Sequence, residues 1–109
     1  MNYKDILKKK LKKYKIKDII ITDHAEEQAI FRSIPLEEIK NNIIGPKRLV
    51  FAEKQKAKKE GEEKYNSYFA YSKTQCHRYA LVVNTKCLVC TVIKINRRWQ
   101  SQVDKHAKV

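Results

Sequence analysis

At Gly45-Pro46 the hydrophobic period of this chain changes, and that change confines it to one fold class. Before the dipeptide, "HAEEQAIFRSI" and "PLEEIKNNII" place apolar residues at helical intervals. After it, "KRLVFAE", "KYNSYFAYSK", "HRYALVV" and "CLVCTVIKI" alternate or run apolar over strand lengths. The charged "KQKAKKEGEE" and the turn Asn84-Thr85-Lys86 separate them into two hairpins, the second apolar on both faces and so central. "DIII", from Asp18 to Ile21, reads as a further short buried strand. The expectation is an α+β domain, its N-terminal helices packed on one face of a four-stranded antiparallel sheet.

Helix boundaries follow from local chemistry. Thr22 or Asp23 is a natural N-cap, with Glu26 close to a capping-box position, so a helix starts near His24 and stops near Ser33. Pro35 suits the first turn of the next helix, and Gly45-Pro46 ends it. Upstream, Tyr3, Ile6 or Leu7, Leu11 and Tyr14 recur at helical spacing among eight lysines and one Asp, leaving +7 on residues 1–17. The chain thus divides into a basic N-terminal helix (1–17), an α+β domain (18–96) and a basic tail (97–109).

With 109 residues the chain builds one modest core. Twenty-five Lys and Arg against twelve Asp and Glu give +13, a field that attracts polyanions and favours nucleic acid over neutral metabolites. Lys8, Lys9, Lys12 and Lys13 on the first helix, Lys94, and Arg97, Arg98 and Trp99 in the tail combine phosphate-binding charge with a stacking ring. A solvated helix with its apolar stripe packed on the domain, and a tail with Trp99 tucked inward, are the bland alternatives. No apolar run approaches the roughly 18 residues of a membrane span, and the first dozen residues lack the centre of a secretory signal; a cytoplasmic location is expected.

Cys76, Cys87 and Cys90 are an odd number, which argues against a disulfide framework. With His77 they have the donors of a zinc site. Cys87 and Cys90, however, are three apart in a strand-like run, point to opposite faces and have no glycine turn between them. Buried apolar thiols are expected, with no metal and no cofactor.

On the helix starting near His24, placing that residue at 0° puts Gln28 at about 40° and Arg32 at about 80°, bordering Ala25 and Ala29 at about 100° and 140°. Small residues permit close approach to a sheet, and polar groups at their border line a cleft. The structural alternative is a locally bonded His24 with Arg32 paired to Glu37 or Glu38.

"HAEEQAIFRSI", "PLEEIKNNIIGPKRLV", a hairpin, then "HRYALVV" and "LVCTVIKI" together resemble a family of small RelE-like domains of unknown function, over about Ile20 to Lys94. Matched residue by residue, the family's helix histidine falls on His24, its second helix basic position on Arg32 and its strand arginine on Arg78. Gln28 stands where the family has a basic residue, and Ile93 where it often has Tyr. The resemblance implies a RelE-like fold, metal-independent endoribonuclease activity, and an acidic antitoxin as partner of a toxin.

Metal-independent RNA cleavage needs a base near the 2′-hydroxyl, an acid for the leaving oxygen and cations where charge grows. His24 and His77 suit the proton roles, Arg32 and Arg78 can hold phosphate with paired donors, Lys94 adds a point charge, and Tyr71 is a candidate proton donor. Three readings remain open: an endoribonuclease, a non-catalytic RNA- or ribosome-binding module of the same fold, and a basic module that binds an acidic protein.

Overall fold

The computed structural model describes residues 2–96; the tail positions Arg97, Arg98 and Trp99 lie outside them. The described chain runs α1 (Tyr3–Leu11), β1 (Ile19–Ile21), α2 (Asp23–Phe31), α3 (Leu36–Ile44), β2 (Leu49–Gln55), β3 (Glu63–Ala70), β4 (Gln75–Val83) and β5 (Cys87–Asn96). The class is α+β. The sheet, however, is five-stranded and mixed, in the order β1-β5-β4-β3-β2, which corrects the four-stranded, wholly antiparallel expectation. β1 pairs parallel with β5, Ile19 opposite Cys87 and Ile21 opposite Val89. Three isoleucines in a row announce a strand but carry no register. Only the assembled sheet offers the outer edge of β5 as their partner.

The caps explain where each helix begins. The Asn2 side chain accepts from the Asp5 N–H at 3.3 Å and starts α1. The Thr22 hydroxyl accepts from the Ala25 N–H at 3.2 Å and starts α2. Ser33 sits at φ 56°, in the left-handed region that reverses the chain between α2 and α3. Pro35 caps α3 and Gly45 ends it, the Gly45 N–H donating to the Asn41 carbonyl at 3.0 Å.

All three helices feed one core. Leu7 and Leu11 of α1, Ala25 and Ala29 of α2, and Ile39 and Ile43 of α3 meet Tyr65, Phe69, Tyr79, Leu81, Val83, Val89 and Val92 of the sheet. The basic N-terminal helix is therefore built into the domain, with Tyr3 edge-on to Tyr65 at 6.3 Å between ring centres. The Tyr14 hydroxyl donates to the Asn84 carbonyl and ties the segment after α1 to the β4–β5 turn. Burial, helped by Cys87, pushes that hydroxyl's pKa up to about 12.

A bulge sets the face of β5. Ala80 pairs with Thr91 and Leu81 with Val89, so Cys90 is the extra residue, and Val89 and Val92 both reach the core although three apart. Beyond β1 the outer edge of β5 needs another partner. The Thr22 N–H donates to the Val89 carbonyl at 3.1 Å, and the Gln28 side chain then accepts from the Val92 N–H at 2.8 Å. Gln28 thus holds a strand-edge donor that water or a further strand would otherwise satisfy. Gln28→Ala is expected to lower unfolding free energy by about 1–2 kcal/mol in urea titration, while Gln28→Glu, which keeps the acceptor, loses less.

Candidate functional site

α2 presents its small residues to β5 as expected, with Ala25 and Ala29 fully buried. His24 is exposed in its first turn and, among the described residues, enters no hydrogen bond or ion pair. Arg32 caps the other end. Its guanidinium folds back to donate to the Gln28 carbonyl at 3.5 Å and stands 5.8 Å from the centre of the Phe31 ring. Neither Glu37 nor Glu38 is its ion-pair partner.

Glu38 goes instead to His77. The His77 Nδ1 lies 2.9 Å from Glu38 Oε2, with the ring 1% exposed and its Nε2 buried without a partner. Glu38 Oε2 makes no aligned hydrogen bond, so this contact is one of charge and distance. A carboxylate only accepts, so the ring nitrogen facing it carries the proton of neutral His77. Tyr71, half exposed at the end of β3, lays its ring on the imidazole at 4.5 Å between centres. Lys94 is the cross-strand neighbour on β5. Burial depresses the His77 pKa; Glu38 works against that and Lys94 adds to it.

Arg78 follows His77 in β4 and so faces the other side of the sheet. There it pairs in register with Tyr68 and Ile93, its Nε buried without a partner. Tyr68 donates to Glu53 Oε1 at 2.6 Å. Burial and this carboxylate push the phenol's pKa up to about 12, with Arg78 pulling the other way. The structure therefore brings together His77, Tyr71 and Lys94 of the expected set. It places His24 and Arg32 on α2 and Arg78 across the sheet. Glu38 is the member that sequence reasoning assigned elsewhere; nothing in local spacing links it to a histidine on β4.

Next to this pair, α3 and the 3-10 turn at Pro46–Arg48 line an open cleft of about 410 Å³. Its polar walls are Glu37, Glu38, Asn41, Asn42, Lys47 and Arg48. The Asn42 amide also donates to the Tyr79 hydroxyl at 3.0 Å, which fixes that wall to the sheet.

The cations gather elsewhere. Glu63, at the start of β3, receives Lys10 of α1 at 2.8 Å and Lys54 of β2 at 3.5 Å, and these partners, Lys10 first, hold its carboxyl below the usual range. That shared carboxylate sets α1 beside the β2–β3 hairpin. Lys9, Lys12 and Lys13 are exposed on and just beyond α1, Lys8 is half-buried, and Lys56, Lys58 and Lys59 are exposed in the hairpin loop. The loop lysines lie in the hairpin that Glu63 joins to α1. Residues 18–44 carry six acids against two bases, net −4. Charge is thus segregated between residues 1–17, at +7, and residues 18–44, at −4; in the hairpin Glu60, Glu62 and Glu63 offset three of the four lysines of residues 54–63.

The thiols behave as packing groups. Cys76 and Cys87 are buried and Cys90 is half-buried, and burial lifts the Cys87 pKa to about 12. His77 faces Glu38 rather than sulfur. No helix among the described residues is long and apolar enough to cross a membrane.

No family model, curated protein or solved structure matches this chain.

The buried imidazole generates a pH prediction. Its folded pKa lies below the unfolded value of 6.5, so as pH falls through that value the unfolded state takes up the proton first. Stability is then fully present above pH 6.5 and declines below it. Chemical denaturation at pH steps down to 4.5, where unfolded glutamates begin to protonate, is expected to show this decline in wild type and a flatter profile in His77→Gln.

Proposed function

We propose that this chain is an RNA-binding module with a RelE-like α+β fold, acting in the cytoplasm on RNA or the ribosome. One observation carries the reading: residues 1–17 hold +7, and Glu63 clamps Lys10 and Lys54 so that the lysines of this segment stand beside the β2–β3 hairpin, where Glu60, Glu62 and Glu63 offset three of four lysines, while residues 18–44 carry −4. Flexible point charges over a broad surface hold phosphate backbone without reading bases, and releasing the RNA's counterions supplies the free energy. Lys94, and Arg97, Arg98 and Trp99 of the tail, are the proposal's secondary contacts.

Fluorescence anisotropy with a labelled single-stranded RNA over a salt series tests it. Binding is expected to weaken steeply with salt, and combining Lys9→Glu, Lys12→Glu and Lys13→Glu to reduce the logarithmic slope by about 0.7 per lost phosphate contact. Absence of RNA binding at low salt, or a slope the triple variant leaves unchanged, rejects the module.

A second reading, a metal-independent endoribonuclease and toxin, is favoured by the Glu38–His77 pair. A carboxylate beside Nδ1 leaves the Nε2 lone pair to accept a 2′-hydroxyl proton, while Lys94, directly across on the adjacent strand, supplies a cation for phosphate charge. Tyr71 must swing aside for that approach, because Nε2 is buried. An acidic antitoxin then suits the +13 surface. Incubation with end-labelled RNA separates the sites. Fragments that disappear in His77→Ala and Glu38→Gln place chemistry at the buried pair; fragments that disappear in His24→Ala and Arg32→Ala place it on α2. Intact RNA with every form leaves the binding module.

A further inference from the structure

Phe31 and Ile30, 85% and 67% exposed, are the most exposed large apolar residues among those described. They lie on the face of α2 opposite the alanine seam. On the count that sets His24 at 0°, Ile30, Glu27 and Phe31 fall at about 240°, 300° and 340°. The pair presents about 300 Å² of apolar surface to water, the lower end of the largest patch on a typical monomer, and such patches are often functional.

The surroundings of this patch decide what covers it. Asp23, Glu26 and Glu27 precede it on the same helix, which disfavours phosphate. Arg32 follows it, with its guanidinium over the Phe31 ring, 5.8 Å from the centre. Acid on the N-terminal side and a cation on the C-terminal side make a bipolar pattern around an apolar centre. Such a pattern complements itself when turned about a two-fold axis. We infer that this face joins two copies of the chain, α2 lying antiparallel on α2. Ile30 and Phe31 then meet their counterparts at the centre, and Glu27 of each copy comes within side-chain reach of the other copy's arginine.

Doubling the patch buries about 600 Å² of apolar surface, so even with its polar rim the contact falls toward the small end of specific interfaces. The dimer is accordingly reversible, and forms as concentration rises. Nothing in this contact uses the α1 lysines, so it stands apart from the RNA reading.

Sedimentation velocity of the full chain over a concentration series tests the inference. Wild type is expected to shift from monomer to dimer, and Phe31→Glu to weaken self-association by about tenfold or more while circular dichroism and RNA affinity stay as they were. Glu27→Arg and Arg32→Glu are each expected to weaken the dimer, and the double charge reversal to restore it. A monomer at every soluble concentration, or a dimer indifferent to Phe31→Glu, overturns the proposal. Amide NMR of wild type on dilution is a readout that needs no variant: shifts centred on α2 support the interface, and shifts centred elsewhere overturn it. Movement of α2 signals on adding RNA but not on dilution gives the face to RNA and also overturns it.

Discussion

The outer edge of β5 is the constraint around which this domain is arranged. A central, doubly apolar strand cannot leave its backbone donors buried and unpaired. β1 covers the first part of the edge through Ile19–Ile21, the Thr22 N–H extends the ladder by one bond to Val89, and the Gln28 side chain closes the position at Val92. Those contacts hold α2 against the sheet, and the bulge at Cys90 turns Val92 inward beneath it. The bond from the Val92 N–H gives the Gln28 side chain a structural duty at this edge.

Burial and charge then divide the surface into distinct regions. His77 is sealed between α3 and Tyr71, where desolvation keeps the imidazole neutral, whereas His24 stands in solvent on α2. Alternation along β4 sends Arg78 to the opposite side from His77. Cations crowd α1, which Glu63 joins to the nearly balanced charges of the β2–β3 hairpin, and acids crowd α2 and α3. The proposed polyanion contact and the proposed contact between helices therefore fall on different regions of the molecule.

Much of the architecture was legible because its causes are local. The period change at Gly45-Pro46, the cap at Thr22, Pro35 before α3 and the Asn84-Thr85-Lys86 turn each act within a few residues, and each appears where that chemistry requires. The alanine seam of α2 was visible for the same reason. Less of the site was visible. The Glu38–His77 contact joins positions 39 apart in sequence, and Glu38 could equally have served the nearby Arg32.

By itself, then, the amino-acid order determined the element types, the helix-side apolar stripes and the +13 charge, since periodicity, capping and composition belong to neighbouring residues and to totals. Only the tertiary structure decided that β1 runs parallel beside β5, that His77 meets Glu38, and that Glu63 unites two lysine-bearing elements. Those outcomes depend on which edges and faces meet once the core has closed, and no spacing along a chain encodes a meeting between residues that only packing brings together.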